Sequence, residues 1–83
     1  MRIDSIKYLE ETSKGIYCEL QYYNFWGTFK IREVFLEKFN NHYFINPTFV
    51  KTGNTIHGNF GDAVRREMIR EYENTNRNLR QSQ

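Results

Sequence analysis

The chain has one cysteine, one proline and one alanine among its 83 residues. Cys18 alone cannot form an internal disulfide, and its solitude fits a reducing compartment, so a cytoplasmic protein is expected. With Ala63 the only alanine, the core must be filled by larger side chains, chiefly Phe and Tyr. No apolar run approaches the roughly 18 residues of a membrane helix, and no charged-then-apolar leader opens the chain, so neither a membrane span nor secretion is expected. No phosphate-binding loop, G-x-S-x-G or D-x-D-x-D-G motif is present. His42 and His57 have no Cys, His or carboxylate at metal-ligand spacing, so no metal or cofactor is expected. Cys18 reads as inert packing rather than a nucleophile, and a non-catalytic protein is expected. No repeat with a period of 20–50 residues is visible.

What the chain does hold is aromatic. Phe, Tyr and Trp make up 17% of it within a hydrophobic share of 39%, which argues against disorder. Aromatic and β-branched residues favour sheet. A chain this short forms one domain and buries roughly 60–65% of the surface its unfolded form exposes. Net charge is +2 and the isoelectric point about 8.8, a mildly basic balance that by itself points weakly to nucleic acid.

Residues 2–9 read as a strand whose apolar positions Ile3, Ile6, Tyr8 and Leu9 do not alternate cleanly, so a bulge or an edge position is expected. Glu10 to Gly15 reads as a polar turn. Residues 15–23 are the clearest strand: Ile16, Cys18, Leu20 and Tyr22 alternate with Tyr17, Glu19, Gln21 and Tyr23. Residues 28–36 form a third strand. Phe29 and Ile31 share one phase and Val34 and Leu36 the other, which predicts a bulge near Arg32-Glu33. Asn40-Asn41 signals a turn. A fourth strand covers 43–50, kinked at Pro47, and 55–57 offers a short last one. From Asn59, read as an N-cap with Asp62 in the first turn, Phe60, Val64, Met68 and Tyr72 recur every four residues. That spacing predicts a helix over 60–73, and a polar tail, 74–83, that frays. The fold class is α+β: a small antiparallel sheet of four to five strands followed by one C-terminal helix.

From Ala63 to Arg80 all five basic residues are arginine: Arg65, Arg66, Arg70, Arg77 and Arg80. On a helical wheel they fall within an arc of about 140°, away from the apolar row. If the tail stays helical they form one stripe about 22 Å long. Arginine's planar fork suits phosphate or carboxylate, so these residues, with Lys51, are candidates for binding nucleic acid or a partner. Asp62–Arg66 and Glu73–Arg77 are also i,i+4 pairs, so an ordinary salt-bridged helix explains the same pattern. Tyr17, Tyr23, Phe25 and Trp26 are candidate aromatic contacts for bases, though the core of an alanine-poor domain is the simpler reading of the cluster.

The order of features resembles the bacterial septation-regulator (SpoVG) family over residues 3–73. A strand, Phe29-Lys30-Ile31-Arg32-Glu33-Val34, leads through Asn40-Asn41 to an apolar strand closed by Pro47. In the helix, Arg66, Ile69 and the Glu71-Tyr72 pair match the family pattern. The resemblance implies a homodimer joined through sheet edges, with a DNA- or RNA-binding surface on or beside the helix. The family follows its proline with a basic run; here Thr48-Phe49-Val50 precedes a lone Lys51. A second class therefore stands beside the first: a phage- or plasmid-encoded inhibitor or adaptor that binds a host protein, such as a defence nuclease, through aromatics and arginines. Exposed sheet edges and a second sheet face needing cover also favour a homodimer.

Overall fold

Alternation at period two sets the centre of the sheet. Ile16, Cys18, Leu20 and Tyr22 project to one face of the strand β2 (Gly15–Asn24), and the first three are fully buried there. The structure is a computed structural model and describes residues 2–40, 42–43 and 46–81, apart from the side chains of Lys30, Ile31 and residues 77–81. In it β2 lies between β1 (Arg2–Thr12) and β3 (Gly27–Phe39), antiparallel to both. Two short strands, β4 (His42–Tyr43) and β5 (Thr48–Phe49), pair with the far side of β3. One helix, α1 (Gly58–Gln81), follows. The fold is the α+β arrangement that the patterning predicts, with five strands.

Both irregular strands carry bulges. On β1, Ile3 pairs with Tyr22 and Ser5 with Gln21, and a second slip separates Tyr8 from Glu10. Each slip adds a residue to β1. The first returns Ile6 and Tyr8 to the helix side that Ile3 already faces, so all three pack on the core, and the second brings Glu11, opposite Ile16, to that side. On β3, Leu20 pairs with Arg32 and Tyr22 with Phe29, so the bulge lies between Phe29 and Arg32, just before the expected Arg32-Glu33.

Several expected boundaries move. Glu10, Glu11 and Thr12 belong to β1 rather than to a turn, which shrinks to Ser13-Lys14. The expected strand 43–50 is two separate pairings, Lys38 with Tyr43 and Val34 with Phe49, with Pro47 buried before the second. Phe44 and Ile45, and Asn41 of the turn, lie outside the described residues. Asn40 takes a left-handed conformation (φ 50°), which asparagine tolerates. Of 55–57 only Thr55 bridges, to Thr48. The helix opens at Gly58, so Asn59 lies within its first turn rather than capping it, and that turn holds no acid. It continues through Gln81, so residues 74–81 are helical where a frayed tail was expected.

The core is a single layer between helix and sheet. Val64 and Met68 reach zero exposure against Ile16, Cys18, Leu20, Val34 and Leu36, so aliphatic and sulfur side chains, and not the expected Phe and Tyr, fill the centre, while Tyr8, Tyr22, Phe49, Phe60 and Tyr72 pack around it half-buried. Burying side chains of this size is worth about 1.5–3 kcal/mol each. Gly61 lets the helix start close to the chain before it, because a Cβ there would strike the backbone carbonyl of Ile56. Helix propensity alone favours alanine over glycine by about 1 kcal/mol. Overpacking against an immovable backbone costs about 1–3 kcal/mol. Gly61→Ala is therefore expected to lower the urea midpoint despite the better helix former; a raised midpoint would show that the helix start can shift.

Candidate functional site

The helix arginines do not form one uniform stripe. Arg66 and Arg70 are exposed. Arg65 is half-buried, and its Nε is buried without a hydrogen-bond partner among the described residues. Arg66 joins two hollows. One, of about 370 Å³, is bounded by Asn59, Asp62, Arg65 and Arg66. The other is a groove of about 750 Å³ between α1 and the first half of β1, where Arg66 and Arg70 meet Asp4, Glu67 and Glu71. Glu67 pairs with Arg70 at 3.7 Å, and among the described residues this, rather than Asp62–Arg66, is the ion pair on the helix. Arg77 and Arg80 lie on the same continuous helix, with side chains outside the described residues.

Lys51 stands apart from all of them. It lines a separate pocket with Arg32, Tyr22 and Phe49, and no helix residue takes part.

The aromatics, adjacent in sequence, separate in space. Tyr22 points under the helix, stacked on Phe29 at 5.2 Å and edge-on to Phe60 at 5.8 Å. Tyr17 lies against Phe35 at 4.8 Å, beside Gly15, where a Cβ would meet the Phe35 ring. Phe25 and Trp26 form the tip of the β2–β3 hairpin, 94% and 83% exposed, with their rings edge to face at 5.5 Å. Asn24 holds that tip by accepting the Trp26 backbone N–H at 2.7 Å, an Asx turn. Tyr23 is 38% exposed at its base.

A polar clamp between helix and sheet escaped the sequence reading, which placed Glu11 in a turn. The Tyr72 hydroxyl donates to Glu11 Oε2 at 2.9 Å, and Lys38 Nζ donates to the same oxygen at 3.1 Å. Tyr72 also stacks on Tyr8 at 5.7 Å and meets Tyr43 edge-on at 6.4 Å. Burial pushes the Tyr43 hydroxyl up to about 12, with Tyr72, Glu11, Glu73 and Tyr8 adding to it. Burial likewise pushes the Cys18 thiol to about 12, reinforced by Glu71, so it is no thiolate at neutral pH. Among the described residues no three His, Cys, Asp or Glu side chains gather as a metal site, and no helix is long and apolar enough to cross a membrane.

Searches against protein-family models, curated proteins and solved structures each found no match.

Desolvation raises the Glu11 carboxyl, but the hydrogen bonds from Tyr72 and Lys38 outweigh it and hold the pKa below the ordinary 4.5. A depressed folded pKa adds stability that is present above 4.5 and lost as the pH falls through the folded value. Glu11→Gln should therefore lower the urea midpoint at pH 7 and narrow its distance from the wild type in acid. An equal gap at neutral and acid pH would remove the clamp's electrostatic role.

Proposed function

We propose that the protein is a small, non-catalytic nucleic-acid-binding regulator that grips phosphates with the outer face of α1. The observation that carries this reading is the exposure of Arg66 and Arg70 on a helix that runs unbroken past Arg80. Continuity keeps five arginines on one scaffold. The resemblance to the septation-regulator family supports the same use of the helix. The neighbouring carboxylates moderate the surface without blocking it. An exposed pair is worth about 0–1 kcal/mol, and the 3.7 Å Glu67–Arg70 contact is a loose one, so a phosphate can displace the carboxylate. Binding would be modest and strongly salt-dependent.

Anisotropy titrations with duplex DNA, single-stranded DNA and RNA at several salt concentrations test this. The double reversal Arg66→Glu/Arg70→Glu should weaken binding at least about tenfold and reduce the salt slope by roughly two. Unchanged affinity would end the role given to the helix.

One observation favours a second reading, a phage- or plasmid-encoded inhibitor or adaptor that binds a host protein. The Phe25–Trp26 tip is a convex, pre-set aromatic pair of the type enriched at interface hot spots. Here Phe25→Ala/Trp26→Ala should keep the circular dichroism of the wild type and lose a partner that the wild type retains in a pull-down. Retention by the double variant would exclude the tip as the anchor.

A further inference from the structure

The β3 bulge does more than restore the apolar phase. It places Arg32 opposite the buried Leu20, in the same helix-side row as Phe29, Val34 and Leu36. A guanidinium in a core-facing row needs a reason. Arg32 stands where the helix no longer covers the sheet, and it is exposed.

It borders a pocket of about 420 Å³ between β3 and the turn after β5, within the range of small-molecule sites. Tyr22 and Phe49 supply an aromatic wall, their rings 6.2 Å apart and tilted by 36°. Lys51 stands on the turn. Thr52 and Asn54 add a hydroxyl and an amide. Glu33 also lines the pocket, but its register opposite Glu19 assigns its side chain to the other face of the sheet, and its backbone carbonyl accepts the Val50 N–H at 3.0 Å.

The turn is pinned at both ends. Phe49 donates to the Asn54 carbonyl at 2.9 Å, and Gly53 donates to the Phe49 carbonyl at 2.8 Å. Among the described residues neither Arg32 nor Lys51 makes an ion pair. Two unpaired cations from two elements thus flank one aromatic wall.

We propose that this pocket binds one nucleotide unit. The phosphate sits between Arg32 and Lys51. The planar base lies against Tyr22 and Phe49, with Thr52 and Asn54 at its edge. A point charge and a planar fork together suit a phosphate, and an aromatic wall accepts any base. The site is independent of the helix arginines, so the two assignments stand or fall separately. The unit comes either from a free mononucleotide or from a single strand, and the chemistry is shared.

Amide NMR of the full chain, titrated with adenosine monophosphate, with adenosine and with a short single-stranded oligonucleotide, tests the assignment. Adenosine monophosphate at millimolar concentration should shift the amides of Arg32 and Val50–Asn54. Adenosine should bind at least about tenfold more weakly, for want of the charge-assisted bonds to phosphate. Arg32→Ala/Lys51→Ala replaces two exposed side chains and should abolish the shifts, whereas Arg66→Glu/Arg70→Glu should leave them. A stronger response to the oligonucleotide marks a strand-binding pocket, and an equal or weaker one marks a free-nucleotide site. No response at the pocket, shifts confined to the helix, or shifts that survive Arg32→Ala/Lys51→Ala would overturn the proposal.

Discussion

One contact layer sustains the rest of this molecule: Val64 and Met68 of α1 pressed on Ile16, Cys18, Leu20, Val34 and Leu36. A single helix can cover only one face of a sheet. Every strand must therefore bring its apolar side chains to that face, whatever its local sequence does. β2 does so by plain alternation. β1 does so only by bulging between Ile3 and Ser5, and β3 by bulging between Phe29 and Arg32. The bulges are thus consequences of a one-helix core, and they also break up the long edge strand that β1 would otherwise offer for unwanted pairing.

The same constraint explains the Glu11 clamp. After its second bulge β1 runs out of apolar residues, yet the helix still lies above it at Tyr72. A carboxylate fills that position and is satisfied by a hydroxyl from the helix and an ammonium from β3. The contact binds three elements where the apolar layer ends. It is exposed enough that its energetic weight is small, and it fixes where the helix lies more than how firmly it holds.

How legible this was depended on distance along the chain. The four-residue spacing of Phe60, Val64, Met68 and Tyr72 and the alternation in β2 are local signals, and both elements appear where they point. The phase slip between Ile31 and Val34 exposed the β3 bulge to within a residue or two. The extent of β1 was hidden, because Glu10 and Glu11 look like turn residues until partners 27 and 61 positions away from Glu11 are known. β4 and β5 were fused for a similar reason: two-residue strands exist only through their pairing with β3. At the candidate site the wheel gave the angle of each arginine but not its depth, so the half-burial of Arg65 was invisible. Adjacency misled for the aromatics, since Tyr22 and Tyr23 go to opposite faces and a hairpin turn lifts Phe25 and Trp26 off the sheet. Arg32 was missed because only the register reveals which face it takes.

The charges bear on why the helix uses arginine and no lysine. In the groove beside β1, two arginines share space with Asp4, Glu67 and Glu71. Opposite charges so close cancel beyond a Debye length, about 8 Å at physiological salt. An ammonium, which attracts chiefly as a point charge, would lose most of its advantage in such a field. A guanidinium keeps its directional fork, because two parallel hydrogen bonds to one anion depend on contact geometry and not on the distant potential. On a surface of nearly balanced charge, arginine is thus the base that keeps a directional grip on an anion at contact range. Lys51 stands outside this groove, on the turn after β5.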